Sequence, residues 1–306
     1  MKCNFALLES KLYFRTITDT IKMCTIGAKY LPKFGWVGFK NRDRNYHAVV
    51  DIRTGFEPLE KLYIWDMDTQ YSEGMNEAGV SILLASLVMN EDEREIAVAQ
   101  RCAKEGIVYS SPVGIKLRAA LGFTTPQTAA ASLIEQKTTG HILIFNEAVC
   151  LALEATINVQ NEYEFVLTPI AAAEGIVVRS NHGIHLQEAG YQRTHTLEDR
   201  MSSEERRKTV IKALEQATTL EAVIEAFSTT NHSNKQFNPV RFCAPDAEKQ
   251  TTGQLMLVPK KRALHYRPIM GGFVANLSSK GTSNIAFEEM PNFDCALLTE
   301  ARLSIG

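Results

Sequence analysis

The sequence contains no close pair of cysteines. Its six cysteines are scattered over 306 residues, whereas zinc ribbons and thioredoxin-like redox motifs need two thiols about three residues apart. Both classes of protein are therefore excluded. In a chain without a secretion signal, thiols are expected to stay reduced and to be buried mostly as small apolar side chains.

The sequence also lacks a long hydrophobic run. Its most apolar stretch, Val80 to Met89, has ten residues and contains two serines, which is too short to span a bilayer. The N-terminal segment MKCNFALLESKLYFRT carries charges where a signal peptide needs an unbroken apolar region. We therefore expect a cytoplasmic protein that does not interact with a membrane.

Neither sign of charge dominates the composition. Thirty-three basic and thirty-five acidic residues leave a formal net charge of -2, which argues against nucleic acid as a partner. The sequence has no GxGxxG or P-loop phrase that would predict a nucleotide site. The hydrophobic content of 45% is that of an ordinary globular protein. A homo-oligomer is left open.

Strands and helices are predicted in alternating blocks. Strands are expected for short runs rich in β-branched and aromatic residues, and helices for runs with Ser/Thr-Pro or acidic starts. Alternating blocks favour antiparallel sheets covered by helices over a parallel doubly wound fold. The predicted strands include CTIGAKYL, WVGF, YHAVVDI, LYIWDM, VSILLASL, HILIFN, AVCLALEA, YEFVLTPI, GIVVRS, GQLMLVP and ALHYRP, and the predicted helices are EDEREIAVAQRCAKEG, SPVGIKLRAALG, TPQTAAASLIEQ, SSEERRKTVIKALEQA and TLEAVIEAFS.

Cys24 begins the first predicted strand, and Asp43 lies nineteen residues downstream at the end of the next one. A short turn containing Pro32 and Gly35 would return the second strand beside the first, which brings Lys40 and Asp43 near Cys24. A buried core residue is the ordinary explanation for such a cysteine. A turn-capping role is the ordinary explanation for such an aspartate.

A thiol needs a base or a nearby cation to become a thiolate near neutral pH. No histidine stands at a recognisable spacing from Cys24. If the chain were cut before Cys24, the new α-amino group, with a pKa around 7.7–8.0, would supply the base. Asp43 would then orient this amine, and Lys40 would favour the thiolate.

Several phrases, in this order, resemble those of the N-terminal nucleophile (Ntn) hydrolases of the choloylglycine hydrolase, penicillin V acylase and penicillin acyltransferase-like group. The resemblance covers residues 24 to about 267 and implies an α+β fold, a four-layer αββα sandwich of two antiparallel sheets between helix layers. The phrases are the opening Cys-Thr with its aspartate nineteen residues later, GMNEAGV, SNHGIHL, SSEER and TTGQLMLVPKKRALHYR.

The resemblance implies a role for each matched residue. Cys24 would be the nucleophile, and Asp43 would position its α-amine. Asn181 would donate its side-chain amide to the oxyanion, and the backbone N–H of Ser86 would complete the oxyanion hole. Arg206 would be a nearby positive charge that orients Cys24 or Asp43.

Two positions depart from the pattern of the group. Lys40 stands where the group has arginine; a lysine keeps the charge but loses the bidentate geometry. We predict Lys40 for this role, with Arg42 as the second candidate. Ser86 stands where the group has asparagine or tyrosine, at a position close to the leaving group.

Residues 1–23 are interpreted as a pro-segment or upstream extension whose removal exposes Cys24, and residues 24–306 as one Ntn hydrolase domain. Alternatively, Met23 is itself a translation start whose methionine is trimmed. Either route leads to an N-terminal cysteine amidohydrolase or acyltransferase that cleaves the linear amide bond of a small N-acyl amide through a Cys24 thioester. No metal or organic cofactor is expected.

Two interpretations from other classes stay open. A thiol enzyme with a histidine base, such as His182 acting on Cys24 or Cys243, would be active without cleavage. A non-catalytic binding protein on the same fold would keep an intact chain and an unreactive Cys24. A metal site at His182 and His185 is not expected, because no third ligand stands at a recognisable spacing. The acyl group of the substrate is not defined by the sequence.

Overall fold

The computed structural model describes the chain in eight segments, and all structural statements below refer to them. They are residues 23–44, 50–66, 70–87, 112–158, 160–189, 197–228, 250–268 and 273–276. The predicted helix at 91–106 and residues 1–22 of the predicted pro-segment lie outside the described residues.

In these segments the strands form two antiparallel sheets. The first sheet consists of β1 (Met23–Leu31), β2 (Gly35–Arg44), β10 (Ile176–Arg179), β11 (Gln250–Val258), β12 (Ala263–Pro268) and β13 (Phe273–Asn276). The second consists of β3 (Val50–Gly55), β4 (Lys61–Asp66), β5 (Ser72–Asn76), β6 (Ser81–Ala85), β7 (Gly140–Phe145), β8 (Cys150–Ile157) and β9 (Tyr163–Ile170). The strand order is β10-β1-β2-β11-β12-β13 in the first sheet, and the second runs from β3 to β9 in chain order.

Two pairs of helices cover the outer faces of the sheets. Helices α1 (Pro112–Ala120) and α2 (Pro126–Glu135) pack on the second sheet, and α3 (Leu197–Glu215) and α4 (Leu220–Ser228) pack on the first. The start of α2 follows its sequence, because the Thr125 side chain accepts the N–H of Thr128 at 3.2 Å and Pro126 occupies the first turn. A single 3₁₀ turn, Pro259–Lys261, joins β11 to β12.

Three apolar clusters hold the four layers together. One lies between the two sheets and includes Ile26, Leu62 and Leu143. A second lies between the first sheet and α3 and α4, and a third between the second sheet and α1 and α2. Since successive residues of a strand face opposite sides, β1 sends Cys24 and Ile26 into the gap between the sheets and Thr25 towards α3.

Glycine allows the two sheets to approach closely in the middle of the gap. A Cβ atom on Gly38 of β2 would overlap the ring of Phe145 on β7. Any larger residue at position 38 would therefore force the sheets apart. Because Gly38 lies two residues before Lys40 on the same face, this approach also brings the second sheet within reach of the polar side chains further along β2.

The four-layer αββα sandwich predicted from the sequence is confirmed. The predicted strands and helices that fall in the described residues are present, with shifted ends: the helix expected from Ser202 begins at Leu197. Two strands were missed. One is β5, whose sequence SEGMN carries no β-branched or aromatic residue, and the other is β13, Phe273–Asn276.

Candidate active site

Cys24 is the second residue of β1, and its side chain faces the gap between the sheets, with only 2% of the residue exposed. Its cross-strand neighbour on β2 is Arg42. Side chains that are paired in this way lie on the same face of the sheet with Cβ atoms about 4.5–5.5 Å apart. The side chain of Arg42 therefore leaves the sheet beside that of Cys24, on the same face.

Asn181 follows β10 and contacts Cys24 directly. The backbone N–H of Cys24 donates to Oδ1 of Asn181 at 3.1 Å. The Nδ2 group of Asn181 donates to the backbone carbonyl of Ser86 at 2.7 Å. Three residues that the sequence resemblance assigned to one site, from three separate parts of the chain, thus meet at the start of β1.

Arg206 joins this group from α3. Its guanidinium is buried and donates from Nη2 to Oδ1 of Asn181 at 3.2 Å and from Nη1 to Oγ1 of Thr25 at 3.0 Å. The same Nη1 lies 3.6 Å from Oδ2 of Asp43. Arg206 therefore connects the asparagine and the aspartate predicted for the site.

Asp43 lies within β2, not at a turn, and it is paired across the sheet with Met23 on one side and with Thr251 of β11 on the other. Its carboxylate is fully buried on the helix face of the sheet. Oδ1 accepts the hydroxyl of Thr251 at 2.7 Å. Asp43 is thus adjacent to the Met23–Cys24 peptide bond but on the opposite face of the sheet from the thiol.

Lys40 and Arg42 both cross the gap to carboxylates on the second sheet. Lys40 Nζ lies 2.7 Å from both carboxylate oxygens of Glu73 and 2.6 Å from the carbonyl of Leu84. Arg42 Nη2 lies 2.9 Å from Oδ2 of Asp66. All four charged side chains are buried, and the register pairs Lys40 with Ile26 rather than with Cys24.

The loop after β10 is held by residues that sequence reasoning missed. Ser203 Oγ accepts the backbone N–H of Asn181 at 2.9 Å. Glu154 of β8 accepts the backbone N–H groups of three successive residues, Ile184, His185 and Leu186, at 2.8 to 3.2 Å. Ser203 lies in the SSEER phrase, three residues before Arg206, but nothing in the predicted strand AVCLALEA singles out Glu154 as a ligand of backbone amides.

His182 is also part of this loop and bears on the histidine-base interpretation. Burial, together with the nearby His141, lowers the pKa of His182 to about 3. Its Nδ1 lies 2.9 Å from Ser203 Oγ and 3.1 Å from Ser180 Oγ. A base this weak is poorly matched to a thiol with an ordinary pKa near 8.5. The other thiol considered for this interpretation, Cys243, lies outside the described residues.

Beside the loop is a cavity of about 720 Å³. Among the described residues, its lining comes from the segment after Asn181 and from the first turns of α3, and it includes the ion pair of Arg200 and Glu204 at 2.9 Å.

Within the described part of the chain, no three His, Cys, Asp or Glu side chains converge as metal ligands. No described helix is long and apolar enough to cross a membrane.

Comparison with known proteins shows likeness in structure only. No protein-family profile matches the sequence, and no curated protein matches it. A mutant of the conjugated bile acid hydrolase from Clostridium perfringens is similar at 10% identity, covering 89% of this chain and 97% of that one, with a TM-score of 0.51.

Two further solved structures are similar. The Caenorhabditis elegans ortholog of N-acylethanolamine-hydrolyzing acid amidase is 13% identical over 78% of this chain and 93% of that one, with a TM-score of 0.49. Penicillin V acylase from Agrobacterium tumefaciens is 11% identical over 86% of this chain and 90% of that one, with a TM-score of 0.44. The chain has the Ntn hydrolase fold, which it shares with the bile acid hydrolase.

Proposed function

We propose that this protein is an N-terminal cysteine hydrolase or acyltransferase that acts on the linear amide bond of a small N-acyl amide. The observation that carries the proposal is the hydrogen bond of 3.1 Å from the Cys24 N–H to Asn181 Oδ1. It joins the proposed nucleophile to the proposed oxyanion donor. The Ntn hydrolase fold and the bridging guanidinium of Arg206 support the same interpretation.

In the proposed reaction, the Cys24 thiolate attacks the amide carbonyl carbon of the substrate. Asn181 Nδ2 and the backbone N–H of Ser86 donate hydrogen bonds to the resulting oxyanion, and such a preorganised donor is worth about 2.7–4 kcal/mol of barrier. The C–N bond then breaks, and the α-ammonium group of Cys24 gives its proton to the leaving amine. The acyl group remains on Cys24 as a thioester.

The second half of the reaction uses the same groups. The α-amine of Cys24, now neutral, takes a proton from water or from an acceptor amine, which attacks the thioester carbonyl. The C–S bond breaks, the thiolate is restored, and either a carboxylic acid or a new amide is released. In this proposal the Asp43 carboxylate positions the α-amine. The carboxylate is itself held in place by Arg206 and Thr251.

The proposal requires a free amine on Cys24. We propose that the Cys24 thiol attacks the carbonyl carbon of Met23. The Met23–Cys24 C–N bond breaks, the thiol proton passes to the new α-amine, and a thioester forms, whose C–S bond water then hydrolyses to release residues 1–23. Arg42, the cross-strand neighbour of Cys24, would favour the thiolate in this step because a nearby cation lowers the pKa of a thiol. Lys40, which the sequence favoured for this role, becomes the second candidate: it shares the same face of β2 but is paired with Ile26.

The substrate class follows from the chemistry of the site. Backbone and side-chain N–H donors around a thiol suit an acyl carbonyl. The cavity described above begins at His182, the residue after Asn181, and its lining is largely polar. The bile acid conjugate named for the C. perfringens structure belongs to that protein. For this chain we propose an N-acyl amide without specifying the acyl group.

The first test is the intact mass of protein expressed from Met1, wild type beside Cys24→Ala. We expect the wild type to lose residues 1–23 and the variant to keep them. If both stay full length, self-cleavage is wrong, and a protein that starts at Met23 is then assayed, because removal of that methionine would also free the amine.

The second test is hydrolysis of a panel of aminocoumarin amides with acetyl, hexanoyl, decanoyl and phenylacetyl groups. We expect release of aminocoumarin by the processed wild type and none by processed protein alkylated at Cys24. Full activity in Cys24→Ala would overturn the proposal. Activity in an uncut chain would favour the thiol enzyme with a histidine base, and an intact chain with no activity and an unreactive Cys24 would favour the binding protein.

A further inference from the structure

We infer that Ser203 is a positioning residue for the proposed oxyanion donor, Asn181; this inference rests on the proposed function. Asn181 follows the last strand residue of β10 by two positions, so its placement depends on a loop rather than on a sheet. Ser203 is the residue that fixes the backbone of this loop at Asn181, through the hydrogen bond of 2.9 Å from the Asn181 N–H to Ser203 Oγ.

One turn of α3 holds both parts of Asn181. Ser203 and Arg206 are three residues apart and therefore lie on the same face of the helix. Ser203 accepts from the Asn181 backbone, and Arg206 donates to the Asn181 side chain at 3.2 Å. The backbone position of Asn181 and the direction of its side-chain amide are thus both fixed by contacts with α3.

Ser203 is itself held on several sides. Ser180 donates its hydroxyl to the Ser203 carbonyl at 2.9 Å, and the hydroxyls of Ser180 and Ser203 are 2.9 Å apart. His182 Nδ1 lies 2.9 Å from Ser203 Oγ. All three side chains are buried. The Ser203 hydroxyl can donate its proton to Ser180 Oγ or to His182 Nδ1 while its oxygen accepts the Asn181 N–H.

This geometry bears on rate rather than on substrate binding. An oxyanion donor stabilises charge that develops only in the transition state, so a small displacement of Asn181 lowers kcat more than it changes KM. A misplacement of about 1 Å can cost roughly a hundredfold in rate. Ser203 does not touch the thiol in this arrangement, so the reactivity of Cys24 towards a small alkylating reagent is expected to stay the same.

The test compares processed Ser203→Ala with the wild type in the hydrolysis of the aminocoumarin amide that the wild type cleaves best. We expect kcat to fall by roughly tenfold to a hundredfold and KM to stay within about twofold. The rate of Cys24 alkylation by iodoacetamide should be unchanged. Ser203→Thr, which keeps the hydroxyl, should recover most of the lost kcat.

Ser81→Ala is the matched control. Its hydroxyl is also buried and donates to the Gly79 carbonyl at 3.3 Å, at the other end of β6 from Ser86. It should leave kcat at the wild-type value. If Ser203→Ala does not fold, Ser203→Cys, which keeps a weaker acceptor of similar size, should give a reduced kcat.

The possible failures are distinguishable. A wild-type kcat in folded Ser203→Ala or in Ser203→Cys overturns the inference and leaves the proposed function intact. An equal loss in Ser81→Ala, or a slower alkylation of Cys24 in Ser203→Ala, assigns the effect to general destabilisation and also overturns it. Full activity in Cys24→Ala overturns the proposed function itself.

Discussion

Arg206 and Asn181 share a hydrogen bond of 3.2 Å from Nη2 of the guanidinium to Oδ1 of the amide, although they lie on α3 and on the loop after β10. The same oxygen accepts the backbone N–H of Cys24. Because two donors hold Oδ1, the Nδ2 group is turned to the other side, towards Ser86. The orientation of the proposed oxyanion donor is therefore set before any substrate arrives.

Replacement of Arg206 by methionine should destabilise the fold. The change leaves the buried Asp43 carboxylate without the cation at 3.6 Å, and loss of one member of a buried ion pair typically costs about 3–5 kcal/mol. Urea unfolding should report this loss, and adding Asp43→Asn should recover part of it. Arg200→Met on the same helix is the control, because the half-exposed Arg200–Glu204 pair should contribute only about 0.3–0.5 kcal/mol. An equal loss in the two single variants would contradict the prediction.

Replacement of Thr251 by valine should shift the pH dependence of activity. The change removes the hydroxyl that donates to Asp43 Oδ1 at 2.7 Å. A hydrogen bond to a carboxylate favours its charged form, so its loss raises the pKa of Asp43. The acid limb of kcat/KM should move to higher pH. Thr252→Val is the control, because that hydroxyl donates to the Arg42 carbonyl at 3.1 Å; a shift of the same size there would refute the assignment.

Arg42 should affect the Cys24 thiol more than Lys40 does. Arg42 is the cross-strand neighbour of Cys24, whereas Lys40 is paired with Ile26. Arg42→Met removes the cation beside the buried Asp66, and Lys40→Met removes the cation beside the buried Glu73. The two variants are therefore matched in the ion pair that each one loses. Alkylation of Cys24 by iodoacetamide, followed over pH by peptide mass analysis, should give a higher thiol pKa in Arg42→Met. A larger increase in Lys40→Met would restore Lys40 as the residue that favours the thiolate.

The protein should lose stability as the pH falls below about 6.5, the ordinary pKa of histidine. Burial lowers the pKa of His141 to about 4 and that of His182 to about 3. The unfolded chain therefore binds protons below pH 6.5 that the folded chain does not bind. The free energy of unfolding should fall with decreasing pH by about 1.4 kcal/mol per pH unit for each histidine, until the folded groups titrate.

The variant His141→Gln isolates one of these contributions. Glutamine can still donate to the His182 carbonyl, which lies 2.8 Å from His141 Nε2, but it does not titrate. Urea unfolding between about pH 6.5 and pH 5 should show a mean slope smaller by about 1 kcal/mol per pH unit than in the wild type. An unchanged slope would mean that His141 does not stay neutral in the folded protein.

The sequence could predict the fold because most of its informative phrases lie in regular elements; SNHGIHL, in the loop after β10, is the exception. The nineteen-residue spacing from Cys24 to Asp43 predicts two adjacent antiparallel strands, and the register pairs Met23 with Asp43. Strands with β-branched residues were found in the same way. The strand β5 was missed because the polar sequence SEGMN is stabilised by its place in the sheet, with all five residues buried, and not by intrinsic propensity.

The polar contacts of the site were less accessible from the sequence. The pairing of Lys40 with Glu73 and of Arg42 with Asp66 depends on how the two sheets face each other, and no local pattern encodes that. Likewise, Glu154 binds three backbone amides of a loop that begins some thirty residues later in the chain. Such partners are defined by tertiary structure and not by any local sequence pattern.

Met23 is the first residue of β1 and is paired across the sheet with Asp43. The proposed cut therefore falls within a paired strand and not in an exposed loop. Another protease would have to separate β1 from β2 to reach this bond. The Cys24 thiol is next to the bond and can react while the two strands stay paired. Once residue 23 departs, β1 becomes one residue shorter, and the backbone of Asp43 is left with Thr251 as its remaining lateral partner.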